Sequence, residues 1–101
     1  FIEHYPGMTE AQIKIIIEDS FKRWKINDAL VIHRYGKLEP GEPIMMVATA
    51  AQHRKEAFEA AEFLMDYLKS RAPFWKKEVV NGKEHWVEAI AADETALSRW
   101  R

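Results

Sequence analysis

Apolar and polar positions change period several times along the chain, and each change marks an element. Residues 1–5 alternate as a short strand, which Pro6-Gly7 ends with turn chemistry. Thr9 then opens Thr-Glu-Ala-Gln, a capping box with Gln12 three residues on. Ile13, Ile16, Ile17, Phe21 and Trp24 follow at helical spacing. This predicts an amphipathic helix with Lys14, Glu18, Asp19 and Lys22 towards water and with Phe21 and Trp24 in the core. Asn27-Asp28 marks a turn, and residues 29–35 read as a strand with Leu30, Ile32 and Arg34 on one face and Val31, His33 and Tyr35 on the other. After a loop rich in turn formers at 36–43, residues 44–50 form a continuous apolar run, the pattern of a strand buried on both faces.

The second half repeats the change from period 2 to period 3.6. A helix is predicted over 52–71, with Ala57, Ala61, Leu64 and Leu68 on one face and Phe58 and Met65 flanking it. The small residues Ala57, Ala60 and Ala61 are read as ordinary helix formers rather than as a close-approach surface. Ala72-Pro73 ends this helix, because the residue before proline is pushed out of the helical region. Residues 74–80 and 83–89 flank Asn81-Gly82, a strong short-range signal for a β-hairpin. Residues 93–101 are expected as a short helix or a partly ordered tail. The fold class expected is α+β: a mixed or antiparallel sheet, two main helices and a C-terminal β-hairpin.

Composition narrows the function classes. The chain has 101 residues, 48% hydrophobic and 31% charged, which suits one globular domain, and no apolar run approaches the roughly 20 residues of a membrane helix. A net charge of -1 offers no global field for nucleic acid. Cysteine is absent, so no disulfide, thiolate metal site or persulfide can be carried on these residues. No targeting pattern is seen at residue 1, so a cytoplasmic location is the default expectation. A metal reading of His33 lacks partner ligands at a useful spacing, and no metal or cofactor is expected.

Cations are nonetheless concentrated locally. Between positions 69 and 83 stand Lys69, Arg71, Lys76, Lys77 and Lys83 against the one acid Glu78. His53 and Arg54 lie at the start of the second helix, where free backbone N–H groups favour an anion. Lys69 falls in its last turn, where a cation also offsets the negative helix end. Lys76 and Lys77 are adjacent on a strand and face opposite sides, so at most one joins Lys69, and Lys76 is preferred. His53 and Lys69 are sixteen residues apart, roughly 24 Å along a helix, so a ligand touching both requires a second copy of the chain.

The segments EHYPGMTE at 3–10, VIHRYGKLEPGE at 31–42, AQHRKEAFEAAEFLMDYLKSRAPFWKKE at 51–78 and WVEA at 86–89 together resemble the large, catalytic subunit of molybdopterin synthase, the MoaE family. The resemblance implies an α/β hammerhead-like fold in a single domain over 1–101 that lacks the family's N-terminal segment, with its strand and basic loop. It further implies an enzyme of molybdenum cofactor biosynthesis. Sulfur would pass from the thiocarboxylated C-terminus of a small ubiquitin-like subunit to cyclic pyranopterin monophosphate, forming the molybdopterin dithiolene. The assembly implied is a homodimer within a heterotetramer. Carried onto this chain, the family's functional positions are His53, Arg54, Lys69, Lys76, Lys77 and Glu78 around the substrate, with Lys69 central to catalysis and Lys76 supporting it. His53 and Arg54 would then come from the partner subunit. The competing expectation is a non-catalytic module that binds the tail of a ubiquitin-like partner.

Overall fold

Gly7, just before the first helix, and Gly36, three residues beyond the second strand, are both in the left-handed region, at φ 82° and 87°. In chain order the elements of the computed structural model are β1 (Ile2–His4), α1 (Met8–Arg23), β2 (Asp28–His33), β3 (Met45–Ala50), α2 (Arg54–Ser70), β4 (Phe74–Val80), β5 (Lys83–Val87) and α3 (Ala91–Ser98). The structure describes residues 1–4, 6–70, 74–80, 82–87 and 91–100. Of His4 and of residues 74–80, 84–87, 91 and 92 the backbone alone is described. The expected roles of Tyr5, Arg71, Pro73 and Asn81, and the extension of the last strand past Val87, lie outside the described residues.

The α+β expectation holds, and the described strands pair only antiparallel. One sheet has the order β1-β4-β5 and the other joins β2 to β3. Val80 pairs with Lys83 across the two-residue turn that Asn81-Gly82 predicts, with Gly82 at φ 76°. The two sheets are tied by a bridge in which Ile2 and Gly36 exchange N–H to carbonyl hydrogen bonds of 2.9 and 2.8 Å. A Cβ at Gly36 would meet nothing within 4 Å, so the obstacle to a side chain there is the backbone conformation alone. Gly36→Ala is accordingly expected to destabilise the protein by about 1 kcal/mol, seen as a lower urea midpoint at unchanged slope.

Helix α1 begins earlier than the Thr9 capping box suggests. Gly7 occupies the cap position, and its N–H donates to Glu10 Oε2 at 2.6 Å while its carbonyl accepts from Ala11 N–H at 3.1 Å. Glycine has no side chain to complete the reciprocal bond, so only half of a capping box forms. Thr9 instead lies inside the first turn, 3% exposed. The predicted core role holds for Trp24 but not for Phe21, which is 42% exposed.

Ile16, Phe63 and Leu64 form the centre of the core, with Trp24, Val31, Val47, Tyr67 and Trp100 packed around them. Helices α1 and α2 thus meet the inner face of the β2–β3 ribbon. That ribbon corrects the expectation of a doubly buried strand at 44–50. Burial alternates along β3, and Leu30, Ile32 and Met46 on the outer face are 50%, 47% and 46% exposed. A run apolar on both sides satisfies either arrangement by composition, and in this chain the helices cover one face only.

The buried face of α2 is also rotated from the sequence reading. Ala60, Phe63, Leu64 and Leu68 are buried, whereas Phe58 is 73% exposed. Ala60 is fully enclosed, and the Thr49 hydroxyl on β3 donates to the Ala57 carbonyl at 2.7 Å. The small residues therefore do admit a close neighbour, contrary to the reading as helix formers alone. The C-terminal stretch is a helix, α3, clasped to α2: Leu97 is 2% exposed, Trp100 Nε1 donates to Asp66 at 2.6 Å, and Arg99 pairs with Glu62 at 2.9 Å. The hairpin is therefore not the last element.

Candidate functional site

The chemistry-bearing residues are distributed over the two ends of α2 and the strand that follows it. At the N-terminal end the helix starts at Arg54, and the His53 carbonyl accepts the Ala57 N–H at 3.3 Å, which makes His53 the capping residue. His53 and Arg54 are both exposed. The first-turn N–H groups and the cationic side chain suit an anion. Glu56 brings a carboxylate to the same turn, with Oε2 shut off from solvent and without a hydrogen-bond partner among the described residues. That carboxylate partly neutralises the helix end, so Arg54 is needed for any anion to prefer it.

At the other end, Lys69 lies in the last turn of α2 and its Nζ is 3.4 Å from Asp93 Oδ1 in the first turn of α3. The Lys69 side chain is 44% exposed and that of Asp93 19%. Each charge offsets the dipole of its own helix, because the negative end of α2 meets the positive end of α3. Asp93 is the neighbour that the sequence did not single out. Only a first-turn acid in a short C-terminal helix marked it, and such acids are commonplace.

Strand β4 carries the remaining three residues. Lys76 is aligned with Ile2 of β1 and Val87 of β5, Lys77 with Trp86 and Glu78 with His85, so Lys76 sits at the middle of the three-stranded sheet. Their side chains lie outside the described residues. Within one chain His53 and Arg54 are not brought to Lys69, since the 17-residue helix α2 stands between them.

A concavity of about 630 Å³ occurs elsewhere, between α1 and β2, lined by Ile13, Ile17, Phe21, Val31 and Tyr35 among others. It contains none of the six predicted site residues, and its apolar walls do not match an anionic ligand. His33 at its rim shares a 2.7 Å hydrogen bond with the Arg34 carbonyl. Among the described residues no three His, Asp or Glu side chains gather to hold a metal ion, and no helix is long and apolar enough to cross a membrane.

The family model described as MoaE protein matches residues 1–71. The chain belongs to the MoaE protein family. It is 71% identical over 99 residues to the molybdopterin synthase catalytic subunit of Cereibacter sphaeroides, covering 98% of this chain and 68% of that protein. It is 57% identical to the protein of the same name from Ralstonia nicotianae, covering 98% of this chain and 56% of that one. The chain thus spans between about half and two thirds of the length of these curated relatives. Among solved structures, the molybdopterin biosynthesis MoaE protein from Burkholderia ambifaria superposes with a TM-score of 0.82 at 50% identity, over 98% of this chain and 69% of that one. Molybdopterin synthase from Staphylococcus aureus gives 0.81 at 28% identity, over 86% and 64%. The two curated relatives thus bear the name of an enzyme's catalytic subunit, and the two solved structures share this chain's α+β fold.

Proposed function

We propose that this MoaE family chain acts as a molybdopterin synthase catalytic subunit, a sulfurtransferase of molybdenum cofactor biosynthesis. The donor is the thiocarboxylate at the C-terminus of a small ubiquitin-like subunit, and the acceptor is cyclic pyranopterin monophosphate. The observation that carries the reading is Lys69. It offers a half-exposed ammonium at a helix end, seven residues before Lys76 on the central strand of the sheet, in a chain that has no cysteine to carry sulfur itself.

In each transfer the thiocarboxylate sulfur forms a bond to a side-chain carbon of the pterin, and a carbon–oxygen bond there breaks. Lys69 lies beside this exchange, giving a proton to the departing oxygen or stabilising the charge that develops on it. Water then cleaves the acyl–sulfur bond, returning the tail as a carboxylate and leaving the sulfur on the pterin. Two such transfers complete the dithiolene. Lys76, with Lys77 and Glu78, would surround the incoming tail and the substrate.

His53 and Arg54 would hold the cyclic phosphate or the pterin from the second copy in a homodimer, the distance along α2 excluding a shared site within one chain. One small subunit at each end makes the heterotetramer. The reaction belongs to the cytoplasm on this reading, where reduced sulfur donors are kept.

The test is a single-turnover assay with the thiocarboxylated small subunit and cyclic pyranopterin monophosphate. Formation of the dithiolene supports the assignment. Complex formation without product would favour a module that binds the tail of a ubiquitin-like partner and performs no chemistry.

A further inference from the structure

We propose that Asp93 is the positioning residue for Lys69, an inference that rests on the catalytic reading of that lysine. The two side chains come from different helices, α2 and α3, and meet at 3.4 Å. An ion pair with a partner 44% exposed adds little to stability, so its consequence must be sought in where it holds the ammonium. A lysine ammonium carries three N–H donors on a flexible four-carbon stem. The ion pair restrains the nitrogen beside Asp93 and leaves N–H donors to meet a thiocarboxylate or a departing oxygen.

The anchor itself is well defined. Asp93 is 19% exposed and stands in the first turn of α3, where the helix dipole favours a carboxylate. Helix α3 does not depend on this pair for its own place. Leu97 is 2% exposed, Trp100 donates to Asp66, and Arg23 Nη1 donates to the Trp100 carbonyl at 2.6 Å. Loss of the Asp93 carboxylate therefore leaves the two helices docked and frees only the lysine. A neutral amide of the same shape is the substitution that isolates this effect.

The experiment measures single-turnover rate and substrate half-saturation for the parent, Asp93→Asn, Asp93→Glu, Lys69→Ala and the double variant, in complex with the thiocarboxylated small subunit. Asp93→Asn should lower the rate about tenfold, the scale expected when a reacting group is displaced by less than an ångström, with half-saturation unchanged and the melting temperature lowered by at most a few degrees through the lost charge at the start of α3. Asp93→Glu should recover most of the rate. In the Lys69→Ala background Asp93→Asn should have no further effect, because the two act through one group. An equal loss in both backgrounds, or none in either, overturns the positioning role while leaving the sulfur-transfer assignment intact.

A second readout is independent of turnover: pulse labelling of Lys69 by an amine-reactive ester, read by mass spectrometry. Faster labelling of Lys69 in Asp93→Asn than in the parent, with other lysines unchanged, supports the pairing, and equal labelling overturns it. Should the parent form no product, or Lys69→Ala react as fast as the parent, the catalytic reading falls. The labelling result then decides the pairing alone.

Discussion

Lys69→Ala is expected to lower the single-turnover rate of sulfur transfer by about 100- to 1000-fold, the usual loss when one proton donor or one charge-stabilising donor is removed from an acyl or sulfur transfer site. The same change should leave the fold intact. The side chain is 44% exposed and its sole charged contact described is with Asp93, so little buried area or pairing energy is lost. Circular dichroism and thermal melting of the variant should match the parent to within a few degrees. Binding of the small subunit, measured by titration calorimetry, should persist. A variant that is stable, binds its partner and transfers no sulfur would put the chemistry on Lys69, whereas full activity would move it to another residue of the assembly. Lys69→Arg is a useful companion: it keeps the positive charge but offers a rigid planar fork that does not surrender a proton, so it separates proton transfer from charge stabilisation.

Phe63→Ala should have the largest effect on stability, about 3–5 kcal/mol, as for other buried aromatic side chains truncated to alanine. Phe63 is fully enclosed, with ring centroids 5.3 Å from Trp24, 4.8 Å from Tyr67 and 5.6 Å from Trp100, and the Arg23 guanidinium lies 4.7 Å from its ring centre. Its removal leaves a cavity where α1, α2 and the C-terminal Trp100 meet. For a domain whose total stability is of order 5–15 kcal/mol, this consumes a large part of the margin and lowers the melting temperature by more than about 12 °C. Phe58→Ala on the same helix is the control. At 73% exposure it should change stability by less than about 0.5 kcal/mol, and near-equal losses for the two variants would contradict the orientation of α2.

Those two phenylalanines mark where periodicity reaches its limit. Both lie on a helix rich in apolar residues, and a face drawn through Ala57, Ala61, Leu64 and Leu68 takes in Phe58 as readily as Phe63. The difference is made by Trp24 and Trp100, which come from positions remote in the chain to cover Phe63 and leave Phe58 in the open. In the same way the apolar run at 44–50 cannot say whether it is covered once or twice. Only the placement of α1 and α2 on one side of the ribbon makes Met46 a surface residue.

Several features were decided by local chemistry and are legible without any structure. The two long helices, the antiparallel pairing of β4 with β5, and the position of Lys69 at a helix end all follow from backbone preferences and residue spacing, which act over a few neighbours. The absence of cysteine is equally direct: none of these 101 residues offers a thiol to carry sulfur. The antiparallel alignment of β1 with β4, the bridge from Ile2 to Gly36, the clasp of α3 and the meeting of Lys69 with Asp93 belong to the tertiary structure. Each joins residues far apart in sequence, and such contacts depend on which surfaces are buried together rather than on the preference of any one segment.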